Sequence, residues 1–165
     1  MTTCLGLDIA KQKLDAALLL ENGKYKSKVF ANTPKGFTAL QQWLDTLGAG
    51  APKAQVCMEA TGAYHEAVAT FLFDKGHRVC VVNPQRVKSF GLSEGIRTKN
   101  DLGDARLLAR YGKAIQPRAW QPEPLPIREV RALGRRRDEL LAMRCHSHCQ
   151  IWTARNLGWP SSSVT

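Results

Sequence analysis

Between residues 3 and 83 the chain alternates short apolar runs with amphipathic stretches in one fixed order: strand, strand, strand, helix, strand, helix, strand. Residues 3–9, 13–20 and 25–32 read as strands. Asn22-Gly23 lies between the second and third, a dipeptide that accepts positive φ and favours a hairpin. Thr33-Pro34 then supplies an N-cap followed by a first-turn proline. Phe37, Leu40, Trp43, Leu44 and Leu47 recur at helical spacing until Gly48, Gly50 and Pro52 end the pattern. Residues 54–59 form a fourth strand, and residues 64–75 a second helix with Gly76 at its C′ position. The Val-Cys-Val-Val run within residues 78–83 predicts a fifth strand, buried on both faces.

A three-stranded meander followed by helix, strand, helix and strand is the plan of a ribonuclease-H-like α/β fold, a mixed five-stranded sheet with flanking helices. Pro84 opens a further helical segment, Gly91 and Gly95 bracket a loop, and residues 101–113 read as another helix. Pro117, Pro122, Pro124 and Pro126 are half of the chain's 8 prolines, which places a linker over residues 117–126 after a domain spanning 1–116. From Ile127 the helical pattern resumes among many arginines, as the start of a basic helix or coiled coil within residues 127–165.

The formal net charge of +10 points to a polyanionic partner, and Lys and Arg exceed Asp and Glu both before and after the prolines. No apolar run approaches the roughly 20 residues of a membrane span, and the first residues lack the pattern of a signal peptide. A soluble, cytoplasmic protein without a membrane partner is expected. The 5 cysteines agree with a reducing compartment, since Cys4, Cys57 and Cys80 fall inside apolar runs as small hydrophobes.

Carboxylates end two of these buried runs. Strand alternation puts Cys4, Gly6 and Asp8 on one face, and Glu59 closes the fourth strand. Asp101 and Asp104 are three apart in a helix and share a face, while Leu102, Ala105 and Ala109 face the core. A carboxylate at the end of a buried strand costs desolvation energy unless a cation or hydrogen bonds offset it. Mg²⁺ takes oxygen ligands, and two such ions about 4 Å apart can stabilise both oxygens of a phosphodiester displacement. Singly, each acid has an ordinary reading as a cap, a solvated acid or a turn residue; together they fit a metal site.

Gly6-Leu7-Asp8-Ile9-Ala10-Lys11, Met58-Glu59-Ala60-Thr61-Gly62-Ala63-Tyr64 and Val82-Asn83-Pro84 resemble motifs of the DEDD transposases of bacterial insertion sequences, the IS110 group. So do Lys99-Asn100-Asp101-Leu102-Gly103-Asp104-Ala105 and Leu108-Ala109-Arg110-Tyr111-Gly112, in the family's order across residues 4–143. The resemblance implies a RuvC-like catalytic domain in which Asp8, Glu59, Asp101 and Asp104 are the catalytic, Mg²⁺-binding acids, with Mn²⁺ as a substitute. It also implies DNA as substrate, a structured guide RNA and a homo-oligomer as partners. Asn100 departs from the Thr common in the family. Family members continue into a second domain that supplies a nucleophilic serine, whereas Cys145 to Thr165 does not resemble that continuation. A truncation or frameshift is the expectation, with Ser161, Ser162 and Ser163 too close to a terminus to replace the nucleophile.

Lys88, Arg97 and Lys99 lie near the acids in sequence and are candidates for guiding a phosphate backbone, or are ordinary loop cations. Arg128, Arg131, Arg135, Arg136, Arg137 and Arg144 are candidates for phosphate contacts, or line a solvated helix face. Cys145-His146-Ser147-His148-Cys149 has zinc-ligand residue types but no second ligand pair. Tyr64 and His65 open a helix beside Glu59, where either reaches substrate or Tyr64 anchors the core. Competing functions are a nucleic-acid-binding remnant without chemistry, a stand-alone resolvase-type nuclease, and an actin-like kinase or ATPase. Against the last, there is one such unit rather than two and no glycine-rich phosphate loop.

Overall fold

The computed structural model describes residues 3–60, 62, 64–95 and 101–124, and beyond them 126–127, 129–130, 133–134, 136–138, 140–141 and 143–144. Up to residue 124 the described residues form β1 (Thr3–Ile9), β2 (Lys13–Leu19), β3 (Tyr25–Ala31), α1 (Pro34–Thr46), β4 (Ala54–Glu59), α2 (Glu66–Asp74), β5 (Arg78–Val82), α3 (Pro84–Ser93) and α4 (Asp101–Ile115), in that order. The strands lie in the order β3-β2-β1-β4-β5. β1 pairs antiparallel with β2 and β2 with β3, while β4 runs parallel to both β1 and β5. The sheet is therefore mixed.

Local chemistry explains most boundaries. Gly23 has φ 78°, the left-handed conformation that the β2–β3 hairpin turn needs. The Thr33 hydroxyl accepts a hydrogen bond from the Gly36 amide, and Pro34 occupies the first turn of α1. Asn83 caps α3 in the same way, accepting from the Gln85 amide at 2.8 Å ahead of Pro84. α2 starts at Glu66, two residues later than the sequence pattern predicts, because Tyr64 and His65 form a turn and His65 makes no side-chain cap. α4 runs two residues past its predicted end, since no breaker occurs before Pro117 and Gln116 leaves the helix at φ 48°.

Alternation along the strands produces two different faces. Leu5, Leu7 and Ile9 of β1 join Leu14, Ala16 and Leu18 of β2 and Val56 and Met58 of β4 in the larger core, closed by Phe37, Leu40 and Leu44 of α1 and Val68, Ala69 and Leu72 of α2. The opposite face carries Cys4, Cys57 and Val82, covered by Val87 of α3 and Leu108 and Tyr111 of α4. β5, at the sheet edge, has Val79, Cys80 and Val82 buried and Val81 partly so. The segment after α4 returns along this edge. The Trp120 amide donates to the Val79 carbonyl at 2.7 Å, the Arg78 guanidinium donates to Pro117, and the Trp120 ring meets Phe73 edge-on.

The chain divides into two units, Met1–Pro122 and Glu123–Thr165. Most of the expected C-terminal helix lies outside the described residues, although those described, such as 136–138, have helical backbone. Among the described residues no helix is long and apolar enough to cross a membrane.

His77, only 3% exposed, joins the turn before β5 to α1. The Gln41 amide nitrogen donates to Asp45, so its oxygen faces His77 and accepts from Nε2 at 2.9 Å. Burial holds this imidazole below the ordinary histidine range, against the opposing pull of the Ala54 carbonyl and the Asp45 carboxylate. The unfolded chain takes up a proton near pH 6.5 that the folded chain resists. The stability contributed by the neutral ring is therefore complete above that pH and lost as pH falls. Urea unfolding should show the wild type losing stability from about pH 7.5 to pH 5.5 more steeply than His77→Gln. Parallel profiles would show that His77 does not carry the pH dependence.

Candidate active site at the ends of β1 and β4

Parallel pairing brings the carboxyl ends of β1 and β4 together, the usual position for a site in sheets of this kind. Register runs from Thr3↔Ala54 to Leu7↔Met58, so one further step sets Asp8 beside Glu59. Both side chains are half-buried. Across the other edge of β1, Asp8 is the direct partner of Asp15 in β2. The acids therefore form a row across three strands, Asp15-Asp8-Glu59, on the sheet face that α4 covers.

Asp15 is absent from the sequence reading. It is 5% exposed, and the Lys13 ammonium lies 3.0 Å from its carboxylate. Its β2 run, Lys-Leu-Asp-Ala-Ala-Leu-Leu, is ordinary in composition. Only the hairpin register, which places Asp15 opposite Asp8, reveals it. Asn32 likewise carries no local signal in the sequence. Its amide nitrogen donates to the Ala10 carbonyl at 3.0 Å and to the Tyr64 carbonyl at 3.3 Å, tying together the turns that follow Asp8 and Glu59.

The helix acids arrive by close packing. Asp101 is the first residue of α4, and Asp104, half-buried, lies in its first turn. Gly6, two residues before Asp8, touches the helix backbone directly. A Cβ at residue 6 would overlap the Ala105 carbonyl oxygen and crowd the Ala109 nitrogen at 2.5 Å. Further along, a Cβ on Gly112 would come within 2.9 Å of Cys57 Cβ, and the Gln55 side chain donates to the Gly112 carbonyl at 3.2 Å. Glycine on both partners lets α4 lie against the strands and brings the turn carrying Asp104 to the end of β1. Ala105 and Ala109 are fully buried beneath it, as their spacing predicts.

The small residues under α4 include three cysteines. Burial pushes the Cys4 thiol up to about 12 and Cys57 higher still, so neither supplies a thiolate at neutral pH. Cys80 is also raised by burial, and its Sγ approaches the Pro117 carbonyl at 3.4 Å. These are packing groups.

An all-carboxylate donor set suits a hard divalent cation rather than zinc or copper. The described residues alone do not complete such a set, since among them no three His, Cys, Asp or Glu side chains are grouped to hold a metal. Cys145-His146-Ser147-His148-Cys149 lies outside the described residues.

Other sequence candidates are dispersed. Lys88 is exposed on α3, whereas Arg97 and Lys99 lie outside the described residues. Arg128, Arg131 and Arg135 also lie outside them, and Arg136, Arg137 and Arg144 are exposed in the second unit. Tyr64 is 46% exposed, which removes its reading as a core anchor. His65 has a buried Nδ1 without a hydrogen-bond partner among the described residues.

A five-stranded mixed sheet with acids at the ends of its adjacent central strands defines a ribonuclease-H-like domain. RuvC from T. thermophilus, solved in complex with Holliday junction substrate, has this fold at a TM-score of 0.51 and 13% identity, the match covering 73% of this chain and 100% of that one. The chain belongs to the DEDD transposase family of the IS110 group, whose model, described as a transposase, matches residues 5–154. The pilin gene-inverting protein of Moraxella lacunata is 39% identical over 121 residues, and that of Moraxella bovis 38% over the same length. Each match covers 73% of this chain but 37% of the relative, so the chain spans little more than a third of either.

The α4 contact is testable by adding single methyl groups. Gly6→Ala sets a Cβ against helix backbone, which cannot yield without moving α4, and should cost about 3 kcal/mol in urea unfolding. Gly91→Ala meets only the movable end of the Leu107 side chain, at 2.9 Å, and should cost about 1 kcal/mol or less. Equal losses would mean that α4 is not seated on Gly6.

Proposed function

We propose that residues 1–116 form the amino-terminal catalytic domain of a DNA transposase or recombinase, joined by the proline-rich stretch 117–126 to a basic helical segment. The observation that carries this reading is the convergence of β1, β4 and the first turn of α4, within a chain of the DEDD transposase family, on one end of a ribonuclease-H-like sheet. Asp8, Glu59, Asp101 and Asp104 would hold Mg²⁺, for which Mn²⁺ substitutes. When bound, the cation stabilises negative charge on the attacking and leaving oxygens of a phosphodiester. The chain's own residues do the rest. Asp8 and Glu59 present carboxylates from rigid strands, Asn32 holds the turns behind them, and the Gly6 contact fixes the helix acids relative to the strand acids.

DNA is the substrate this reading assigns, supported by the +10 charge and by the Holliday junction bound to RuvC in a structure of the same fold. A structured guide RNA and a homo-oligomer belong to the same proposal through the family. By the family resemblance, recombination would further require a serine nucleophile from a second domain. Branched-DNA cleavage by this chain alone would instead favour a stand-alone resolvase-type nuclease.

Calorimetric titration of Mn²⁺ should give saturable binding to the folded chain, weakened by roughly tenfold to a hundredfold or abolished in Asp8→Ala and in Asp101→Ala. A folded wild type that binds no Mn²⁺, or binding indifferent to both alanine variants, would overturn the assignment.

A further inference from the structure

The β2–β3 side of the acid row carries two cations held in place by separate contacts. Lys13, at the start of β2, is held by the buried carboxylate of Asp15, while its own side chain remains 45% exposed. Arg106, exposed on α4 two residues after Asp104, lies over the Tyr25 ring with its guanidinium carbon 5.3 Å from the centroid. Tyr25 begins β3. It pairs with Leu19, whereas Lys13 pairs with Ala31 at the other end of the same ladder. Six residue steps of about 3.3 Å separate the two ends, or roughly 20 Å.

Between them β3 presents an exposed strip beside the buried residues of β2. Ser27 and Val29 project on this side, both exposed, and Val29 is 55% exposed despite being apolar. Ala17, the partner of Ser27, is fully buried, so the exposed strip is β3 alone. Arg110, one turn further along α4, is committed to Glu94 in an ion pair. An exposed strand with a restrained positive charge at each end, one end adjoining Asp15 and Asp8, matches an extended chain of phosphates rather than a compact anion. Restraint matters because a cation already held by a carboxylate or a ring loses less side-chain entropy on meeting a phosphate.

We propose that the exposed β3 strip between Lys13 and Arg106 is the track for the backbone of the DNA strand to be cut, with Lys13 and Arg106 contacting its phosphates and Asp15 and Tyr25 positioning those two cations. The identity of the strand rests on the nuclease reading above; the track itself rests on Lys13, Arg106 and the exposed β3 residues between them. It runs on the opposite side of α4 from α3, so Lys88 takes no part.

Binding of a labelled single-stranded DNA oligonucleotide, followed by fluorescence anisotropy across a salt series, tests this. The slope of log affinity against log salt should fall by about 0.7 in Lys13→Ala and again in Arg106→Ala, and by about twice that in the double variant. Lys13→Arg should restore the slope, and Lys88→Ala should leave it unchanged. Asp15→Asn, which retains the Lys13 charge but weakens its tether, should lower affinity at every salt concentration with little change in slope. Unchanged slopes in Lys13→Ala and Arg106→Ala would overturn the track, as would a slope that responds to Lys88→Ala instead. A dependence seen with RNA of the same sequence but not with DNA would overturn the assignment to DNA. Mn²⁺ titration of the same variants separates the two proposals. Intact metal binding with unmoved slopes refutes the track alone, whereas shifted slopes in a chain without a metal site retain the track and refute the nuclease reading.

Discussion

A glycine in a central strand sets the terms for everything on the α4 side of the sheet. Gly6 has no side chain to hold the helix away, so the backbone of α4 at Ala105 and Ala109 rests on β1 itself. Asp8 is two residues further along the strand, and Asp104 is the residue before Ala105. One backbone-to-backbone contact therefore sets the distance between strand acid and helix acid. A bulky residue at position 6 would lift the helix and disperse the constellation even with every carboxylate retained. The Gly112 contact with Cys57 does the same for the far end of α4, so the helix is fixed at two points along its length.

The two faces of the sheet divide stability from chemistry. Leu5, Leu7, Leu14, Leu18, Val56 and Met58, under α1 and α2, form a dense apolar core. The α4 face trades that apolar volume for Cys, Gly and Ala near the middle and for carboxylates at one end. Asp15, Asp8 and Glu59 occupy adjacent positions on three strands, an arrangement of like charges that a sheet does not adopt for stability. Lys13 offsets one of them.

Much of this was legible in the residues. The five apolar runs, Asn22-Gly23, and the Thr33-Pro34 and Asn83-Pro84 caps are local signals, and local chemistry decides them; the strands and α1 follow with shifts of a residue at most. Asp8 and Glu59 could be picked out because an acid at the end of a buried run is conspicuous. Asp15 could not, because its neighbours in sequence are ordinary and its meaning comes from lying opposite Asp8. The roles of Gly6 and Asn32 were hidden for the same reason. A glycine in a strand has several readings until the helix above it is placed, and Asn32 acts on carbonyls 22 and 32 residues away. Arg106 likewise gains significance only through Tyr25 on a distant strand. Sequence periodicity reports which face a residue occupies; it does not report what the fold lays across that face.

The most direct test of the central claim is a crystal structure of the chain soaked with Mn²⁺, read by anomalous scattering. The account places a peak at the carboxyl ends of β1 and β4, ligated by Asp8, Glu59 and at least one carboxylate from the first turn of α4, with α4 still resting on Gly6. Peaks confined to other parts of the surface, or an ion held by the strand acids while α4 stands away from Gly6, would contradict it.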